Sequence, residues 1–564
     1  MVLKGGYLKV GQWPAPERGA FSAEPRQVQQ WLAGLPMASP ASAGKAIFEQ
    51  LRTLAEVRLV PKYRFQMLET LLTPLDQIFR YMARAYVGKP FPLNVKSRNA
   101  GAIVREFCRL MARHYAQVAH DLGGFEGRVS LLHRGMNATA LQRALWFMKK
   151  LQVNLYQLYS AYPTGFWLDL HGLHRAVERS GRGHKPVRCD SWEGMVSDSP
   201  LAIWYQCMVL AASNPYRLRP QTVAALEQFL QQWGPQPEIC CGGAQQTEEG
   251  MYYFSPEVDA PPGRMSPPAQ TSAVCSLNVR KLAAALPEPA IPAQESSYRD
   301  EFMDHLRQEW GLIQERSHQR LQGQHRLETL FGLSQVHYRL AGDMPFEKFV
   351  ERTGIQQTSD DASLGSWLGR SMLDHEEVVH SVAQVLDQSL GGYRLRWSAE
   401  EVIRVQVGEL VAMTLPGQEE DPDWVVGVVR WLNVNRERVD AGVQLLSHQC
   451  LPAVVRYKGR GQEATFLRAL MLNGGPFQTP QQTVLLPAVV ADQPENLLMA
   501  WLPDDVDVLD RRVERIRTVR QVERNQVFVQ FDYEMEDTAP APASVPEQQT
   551  SSREQEPELL WEDL

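Results

Sequence analysis

The 564-residue sequence lacks several features that would directly identify a membrane, secreted or disulfide-rich protein. It has no apolar run of roughly 18 residues, the length of a membrane-spanning helix, and its first residues contain no apolar core of a signal peptide. The 7 Cys are scattered without the spacing of zinc ligands, and a chain of this length does not need disulfide bonds to fold. These absences predict a cytoplasmic protein without membrane insertion and without a disulfide framework.

An excess of positive charge and the common signatures of catalysis are also missing. The formal net charge of −7 argues against a nucleic-acid partner, whose binding surface would be basic. No phosphate-binding Walker loop, Gly-x-Ser-x-Gly elbow or strand followed by Gly-x-Gly-x-x-Gly occurs. His171 and His174 have helical spacing, but no further acidic or Cys motif completes a metal site. The sequence therefore predicts no enzyme: we expect no catalytic residue, no metal ligand and no cofactor.

The N-terminal part of the chain has a helical pattern. After an N-terminal extension, residues 1–21, apolar residues recur at three and four spacing through residues 22–235, as in "AIVREFCRLMARHYAQVAHDL". This pattern predicts a helical domain, and its aromatic residues, such as Trp146, are expected in the core. Residues 236–299 are rich in Pro, Gly and Ser and predict a partly ordered linker, with a short strand at "MYYF" and a short helix in "NVRKLAAAL".

The C-terminal part changes to a β pattern, so the fold class is multidomain α + β. Residues 300–450 begin with a helix predicted to reach residue 322, and short runs of Val and Leu then predict a small antiparallel barrel. A helical insertion, residues 341–377, interrupts these runs. Residues 451–535 form a second β-rich segment, either a second barrel or an extension of the first. Residues 536–564 are acidic and Pro-rich, which predicts a disordered tail.

The stretch "VLDQSLGGYRL", residues 385–395, joins two apolar runs through a pair of glycines. It predicts two strands and a tight turn, and an Asx-type turn alone would explain its composition. The same residues also suit a ligand site. The carboxylate of Asp387 can accept from the N–H edge of a guanine, and Ser389 adds a donor and an acceptor. Gly391 and Gly392 allow a close approach of the backbone.

A second candidate group precedes the first predicted strand. If the helix persists there, Arg316 and Arg320 share one face, about 5–6 Å apart between their Cβ atoms. Two adjacent guanidinium groups suit phosphate, and a guanidinium can also stack on a base. Because an Arg-x-x-x-Arg pair recurs by chance, a solvated helix face is the preferred interpretation of the pair when it is taken alone.

Together the two groups resemble the PilZ domain. An Arg-x-x-x-Arg segment, Asp-x-Ser-x-x-Gly, and then "VGELVAMTL", "GVVRWL" and "AGVQLL" follow one another in the order of that family over roughly residues 312–450. The resemblance implies a PilZ-like antiparallel β-barrel and a cytoplasmic bacterial receptor for cyclic di-GMP. By the same resemblance, Arg316 and Arg320 would form a clamp for phosphates and guanine edges. Asp387 and Ser389 would read a guanine, and Gly391 and Gly392 would shape the turn.

The sequence departs from the PilZ pattern in the number of residues between the two motifs, which is smaller in many PilZ domains. The insertion adds little loop-closure entropy, because that cost grows only logarithmically with length. It leaves Arg326 as a competing clamp residue. The resemblance implies an effector that couples cyclic di-GMP to an unidentified protein partner through its helical domain, with an output in motility, pili, biofilm or exopolysaccharide. The alternative is a scaffold whose degenerate barrel binds no nucleotide.

Overall fold

The computed structural model describes most of the chain: residues 3–11, 25–192, 195, 198–234, 236–242, 251–264, 273–287, 298–311, 320–355, 379–401, 403–414, 424–457, 464–473, 482–490, 497–502 and 512–536. Arg316, residues 356–377 of the predicted insertion and residues 537–564 of the predicted tail lie outside these ranges.

The N-terminal half is helical, as predicted. Within its described residues the helices are α1 (Pro25–Ala33), α2 (Pro40–Ala55), α3 (Pro61–Ala83), α4 (Val95–Asp121), α5 (Arg134–Gln157), α6 (Phe166–Ser180), α7 (Pro200–Ala212) and α8 (Pro220–Gln232). Proline stands in the first turn of several of them, where its missing N–H is not needed. The side chain of Asn94 caps α4 by accepting from the backbone N of Ser97 at 2.9 Å. Helices α4 and α5 pack against each other at the centre of the half.

Many of the aromatic residues of this half lie in its core. Trp146, with 1% of its surface exposed, is buried as the sequence predicts. His171 stacks on Phe254 with 5.4 Å between ring centroids, and His174 stacks on Trp204 at 3.7 Å. Burial lowers the pKa of His171 to about 3. No helix in the described part of the chain is both long and apolar enough to cross a membrane.

The Pro- and Gly-rich stretch after α8 contains a small sheet. Its strands are β1 (Glu238–Cys241), β2 (Met251–Phe254) and β3 (Cys275–Asn278), in the order β1-β3-β2, and α9 (Arg280–Ala284) follows. The short strand predicted at "MYYF" and the short helix predicted after it are therefore present. Cys241 and Cys275 face each other in the β1–β3 register and form a disulfide, which the sequence analysis did not expect.

A first β-barrel follows. After α10 (Tyr298–Trp310), its elements are β4 (Leu321–Gln322), β5 (Arg326–Phe331), α11 (Leu333–Leu340), α12 (Phe346–Thr353), β6 (Ser381–Ser389), β7 (Gly392–Ser398), β8 (Leu410–Thr414), β9 (Trp424–Val434) and β10 (Arg438–Ser447). The antiparallel order β6-β5-β8-β9-β10-β7 closes because β7 also pairs with β6. Strand β4 pairs with β6 on the same side as β5, next to the end of β6 at Ser389. The helix predicted to reach residue 322 ends at Trp310, and the chain is extended again by Leu321.

The second β-rich segment is a barrel of its own. It consists of β11 (Cys450–Tyr457), β12 (Thr465–Asn473), β13 (Gln482–Pro487), β14 (Leu497–Trp501), β15 (Arg512–Arg524) and β16 (Phe528–Met535). These strands close in the antiparallel order β11-β12-β13-β16-β15-β14. Val455, Met499 and Phe531 belong to a separate apolar core inside it. The two possibilities left open by the sequence are thereby resolved in favour of a second barrel.

The first barrel is seated directly on the helical half. Phe91, between α3 and α4, forms a β-bridge with Val405 of the barrel. At the end of β9 the backbone N of Val434 donates to the carbonyl of Tyr159 at 2.8 Å. The apolar interior of this barrel and the core of the helices form one continuous cluster. The position of the first barrel on the helices is therefore fixed by packing as well as by hydrogen bonds.

Candidate functional site

The hairpin of β6 and β7 carries the Asp-x-Ser-x-x-Gly stretch. Leu390 and Gly391 form a two-residue turn between Ser389 and Gly392, which face each other across the hairpin. The hydroxyl of Ser389 lies 3.4 Å from the carbonyl oxygen of Gly392. A bulge between Val385 and Asp387 ends the regular alternation of β6. The turn predicted from the sequence is present, with Asp387 at the outer face of the barrel.

Gly392 has a structural reason to be glycine. Its φ is 153°, and a Cβ atom there would lie 2.0 Å from the carbonyl oxygen of Val443 on β10. The preceding residue, Gly391, accepts from the backbone N of Leu445 at 3.0 Å. The glycine pair therefore lets the hairpin lie flat against β10, and any side chain at position 392 would push the two strands apart.

Arg320 reaches the hairpin through the short strand β4. Gln322 pairs with Asp387 in the β4–β6 register, and this brings Nη1 of Arg320 to 2.6 Å from Oδ1 of Asp387. The Asp387 side chain is 19% exposed and that of Arg320 is 48% exposed. The competing residue Arg326 lies on β5 opposite Gln384. The contact with Asp387 is thus made by Arg320, from an extended segment rather than from the helix face that the spacing indicated.

A second carboxylate, Asp440 on β10, holds two arginines of β7. Arg396 donates to it through Nε at 2.6 Å and Nη2 at 2.8 Å, and Arg394 through Nη2 at 3.4 Å. Nη1 of Arg394 also lies 3.9 Å from Oδ2 of Asp387. Burial would raise the pKa of Asp440, but the hydrogen bond and the charge of Arg396, with the charge of Arg394, hold it below its usual value. The two acids and three arginines form one connected charged cluster.

Sequence reasoning missed Asp440, although its signal was present. Arg394 and Arg396 alternate in "YRLRW", which places both side chains on one face of a strand. A single acid in "VDAGVQLL" becomes their partner only when Arg396 is set opposite Asp440 in the β7–β10 register. The sequence contains the residues of the cluster, but only the strand register brings them together.

Trp431 on β9 adds an aromatic surface beside this cluster. A Cβ atom at Gly442 would lie 1.8 Å from Nε1 of Trp431, so the indole lies flat over that glycine. The guanidinium carbon of Arg394 is 5.9 Å from the centre of the Trp431 ring. Nε of Arg394 is buried and has no hydrogen-bond partner among the described residues. A flat aromatic surface beside guanidinium groups suits a ligand that combines bases with phosphates.

The described residues contain no group of three His, Cys, Asp or Glu side chains placed to hold a metal ion. The chemistry that this face offers is hydrogen bonding, charge and stacking. It provides arginine donors for anions, a carboxylate that can accept from N–H groups, and an aromatic ring.

Comparison with known proteins gives two family matches along this chain. Residues 26–242 match the family described as the N-terminal domain of the cyclic-di-GMP receptor FimW. Residues 251–367 and 369–452 match the family described as the middle PilZ domain of the same receptor, so this match also includes β2 and β3. The cyclic-di-GMP receptor FimW of Pseudomonas aeruginosa is 23% identical over 98% of each chain. This chain is therefore a homologue of FimW, and its C-terminal half carries a PilZ domain of the FimW type.

Proposed function

We propose that this protein is a cytoplasmic effector that binds cyclic di-GMP on the outer face of its first barrel. The observation that carries the proposal is the 2.6 Å contact between Arg320 and Asp387, which are separated by 67 positions in the chain. The long separation between the two PilZ motifs was the main departure from the family pattern. In the fold this separation in sequence is bridged by strand β4, whose pairing with β6 places the arginine segment beside the hairpin.

The side chains on this face match the two chemical parts of the ligand. Arg320 and Arg394 supply positive charge for phosphates, and Trp431 offers a ring on which a purine can stack. Asp387 can accept from the N–H groups of a guanine edge, and Ser389 supplies a donor and an acceptor beside it. Nη1 of Arg320 lies 2.6 Å from the carboxylate of Asp387. A guanine that takes this carboxylate releases the guanidinium for a phosphate, so one exchange of partners assembles both halves of the site.

The helical half is the proposed contact with a protein partner. The first barrel is joined to it through the Phe91–Val405 bridge and through the hydrogen bond from Val434 to Tyr159. These contacts are the proposed route by which a change on β9 reaches the helices. The proposed output is motility, pili, biofilm or exopolysaccharide production, as in the family that the motifs resemble.

The test is isothermal titration of cyclic di-GMP into the full chain at a stated salt concentration. Wild type is compared with Asp387→Ala, with the double variant Arg316→Ala/Arg320→Ala, and with Arg517→Ala on the second barrel as a control. We expect saturable binding that is weakened at least tenfold in the first two variants, because each removes a charged hydrogen-bond partner worth about 1.5–3 kcal/mol. The control should bind as wild type does.

Two other results would lead elsewhere. If wild type gives neither heat nor a thermal shift at high ligand concentration, the barrel is a degenerate scaffold and the proposal is wrong. If binding is retained in every variant, the ligand lies elsewhere on the barrel, and Arg326 is the next residue to change.

A further inference from the structure

Arg430 lies at the rim of the candidate site and joins the two barrels. Its Nε donates to Oε1 of Gln444 at 2.7 Å. Its Nη1 and Nη2 donate to the two carboxylate oxygens of Glu523, each at 2.6 Å. Glu523 belongs to β15 of the second barrel, and its side chain is 21% exposed. A two-pronged contact of this kind between half-buried groups fixes the plane of the guanidinium group.

The residues held by Arg430 border the candidate site on two sides. Gln444 is the register partner of Gly392, the last residue of the hairpin motif, and its Cα atom would lie 3.1 Å from a Cβ atom on that glycine. Arg430 is also the extra residue of a bulge in β9, since Trp431 pairs with Gly442 whereas Val429 pairs with Val443. A bulge sets the direction of the next side chain, which here is Trp431.

We infer that the second barrel is a functional part of the nucleotide site. Glu523 positions Arg430, and Arg430 in turn positions the side chain of Gln444 beside the hairpin and the ring of Trp431. The inference rests on the proposed function. Glu523 touches no ligand; it is a positioning residue that acts from the neighbouring barrel. The two barrels are also joined by Asn525, whose Nδ2 donates to the carbonyl of Gly408 at 3.3 Å, so removal of Glu523 does not detach them.

The consequence is a specific defect in binding without a general loss of structure. With Glu523→Gln the side chain keeps its size but cannot offer two charged oxygens, so the Arg430 guanidinium is free to turn. Gln444 then loses a fixed donor, and the bulge beside Trp431 loses its anchor. The base-stacking surface becomes less well ordered before the ligand arrives, and the ligand must order it on binding.

The experiment is titration of cyclic di-GMP into the full-length protein with four variants. They are Glu523→Gln, Arg430→Gln, the double variant of both, and Glu534→Gln. The last is the matched control, because Glu534 pairs with Arg517 at 2.7 Å on the same β15–β16 hairpin and is 61% exposed. We expect Glu523→Gln to weaken binding about tenfold. The double variant should be no weaker than Arg430→Gln alone, since Glu523 acts only through Arg430.

Thermal unfolding of the same proteins separates positioning from stability. Because the contact of Glu523 is less exposed than that of Glu534, Glu523→Gln should melt somewhat below Glu534→Gln, but both variants should be folded at the titration temperature, where only Glu523→Gln binds weakly. Equal binding by wild type and Glu523→Gln would overturn the inference and leave the proposed function intact. Equal weakening by Glu523→Gln and Glu534→Gln would also overturn it, since the effect would then belong to the whole barrel. Absence of binding in wild type would overturn both the proposed function and this inference.

Discussion

The two barrels have the same closed architecture of six antiparallel strands in the described residues, yet only the first carries the candidate site. Both contain an Arg-x-x-x-Arg spacing: Arg316 and Arg320 before the first barrel, and Arg520 and Arg524 on β15. Residues 451–535 contain no serine, so the Asp-x-Ser-x-x-Gly motif cannot occur in the second barrel. The arginine spacing alone therefore does not define a ligand site.

The outer faces of the barrels differ in how their charges are held. In the first barrel Asp440 has 8% of its side chain exposed and binds two arginines at once. In the second, Arg517 and Glu534 form a pair in which both side chains are more than half exposed. Charges that are partly buried and shared have fixed directions, whereas exposed pairs are largely screened by solvent. The comparison teaches that the chemistry of one face, and not the barrel topology, determines where a ligand can bind.

The largest effect is expected from a substitution that prevents the hairpin of β6 and β7 from packing closely against β10. Gly392→Val would place a Cβ atom 2.0 Å from the carbonyl oxygen of Val443. We expect a loss of about 3 kcal/mol in stability and the loss of ligand binding, because the strands must separate. Thermal unfolding followed by circular dichroism measures the first effect. Gly135→Ala is the control, since a Cβ atom there meets nothing within 4 Å. Unfolding of Gly392→Val at the wild-type temperature would contradict the prediction.

One Arg–Asp contact of each barrel can be compared directly. Arg320→Ala removes the contact with Asp387, whose side chain is 19% exposed, and Arg520→Ala removes a similar contact on the second barrel with Asp532, whose side chain is 20% exposed. We expect the first change to weaken cyclic di-GMP binding about ten- to a hundredfold, or about 1.4–2.8 kcal/mol, and the second to leave binding unchanged. Titration of both variants at one salt concentration measures this. Similar losses for the two would mean that positive charge in general attracts the ligand.

The shared carboxylate of the first barrel should matter for stability as well. Asp440→Asn leaves Arg394 and Arg396 without their common anion, and we expect a loss of about 1–2 kcal/mol near neutral pH. The pKa of Asp440 is lowered in the folded state, so its contribution is present above the unfolded value of roughly 4 and is lost as pH falls through the folded value. Melting temperatures of wild type and variant should therefore converge in acid. A constant difference down to the lowest pH would show that the charge is not the cause.

The smallest effect is expected for the exposed pair of the second barrel. Arg517→Gln and Glu534→Gln should each change the free energy of unfolding by no more than about 0.5 kcal/mol, because solvent screens the pair. Denaturant unfolding of the two variants and of the double variant gives the coupling between the residues. A coupling as large as that of the Asp440 cluster would remove the contrast between the two faces.

Much of this arrangement follows from local sequence, and the rest depends on pairing between distant strands. The turn at Gly391 and Gly392 was predictable, because two glycines between alternating runs have few other uses. The cluster around Asp440 was not, since a change of one residue in register would move its partners to the other face. The helix after residue 300 was predicted too long, because "YRDEFMDHLRQEWGLIQERSHQRL" keeps a polar, helix-compatible composition past Trp310.

The disulfide and the closure of the second barrel are further examples. Cys241 and Cys275 are 34 positions apart, and only the β1–β3 pairing makes them neighbours. Closure of the second barrel requires β11 to meet β14, which no local pattern indicates. In the candidate site the residue types that carry the motif were all visible in the sequence, but the contact of Arg320 rather than Arg326 with Asp387 depends on the position of β4.

The continuous core of the helices and the first barrel has a practical consequence for anyone who wishes to use this domain elsewhere. Val405 and Leu432 of the barrel lie in one apolar cluster with Phe91 and Tyr159 of the helical half. A fragment that starts at residue 300 would expose that apolar face to water, and we expect it to aggregate during expression. The second barrel has an interior core of its own, and a separate apolar cluster, which includes Val428 and Leu485, packs it against the first barrel. In calorimetry the first barrel and the helices should therefore melt in one transition, and a graft of the isolated PilZ barrel would have to carry the helical half with it.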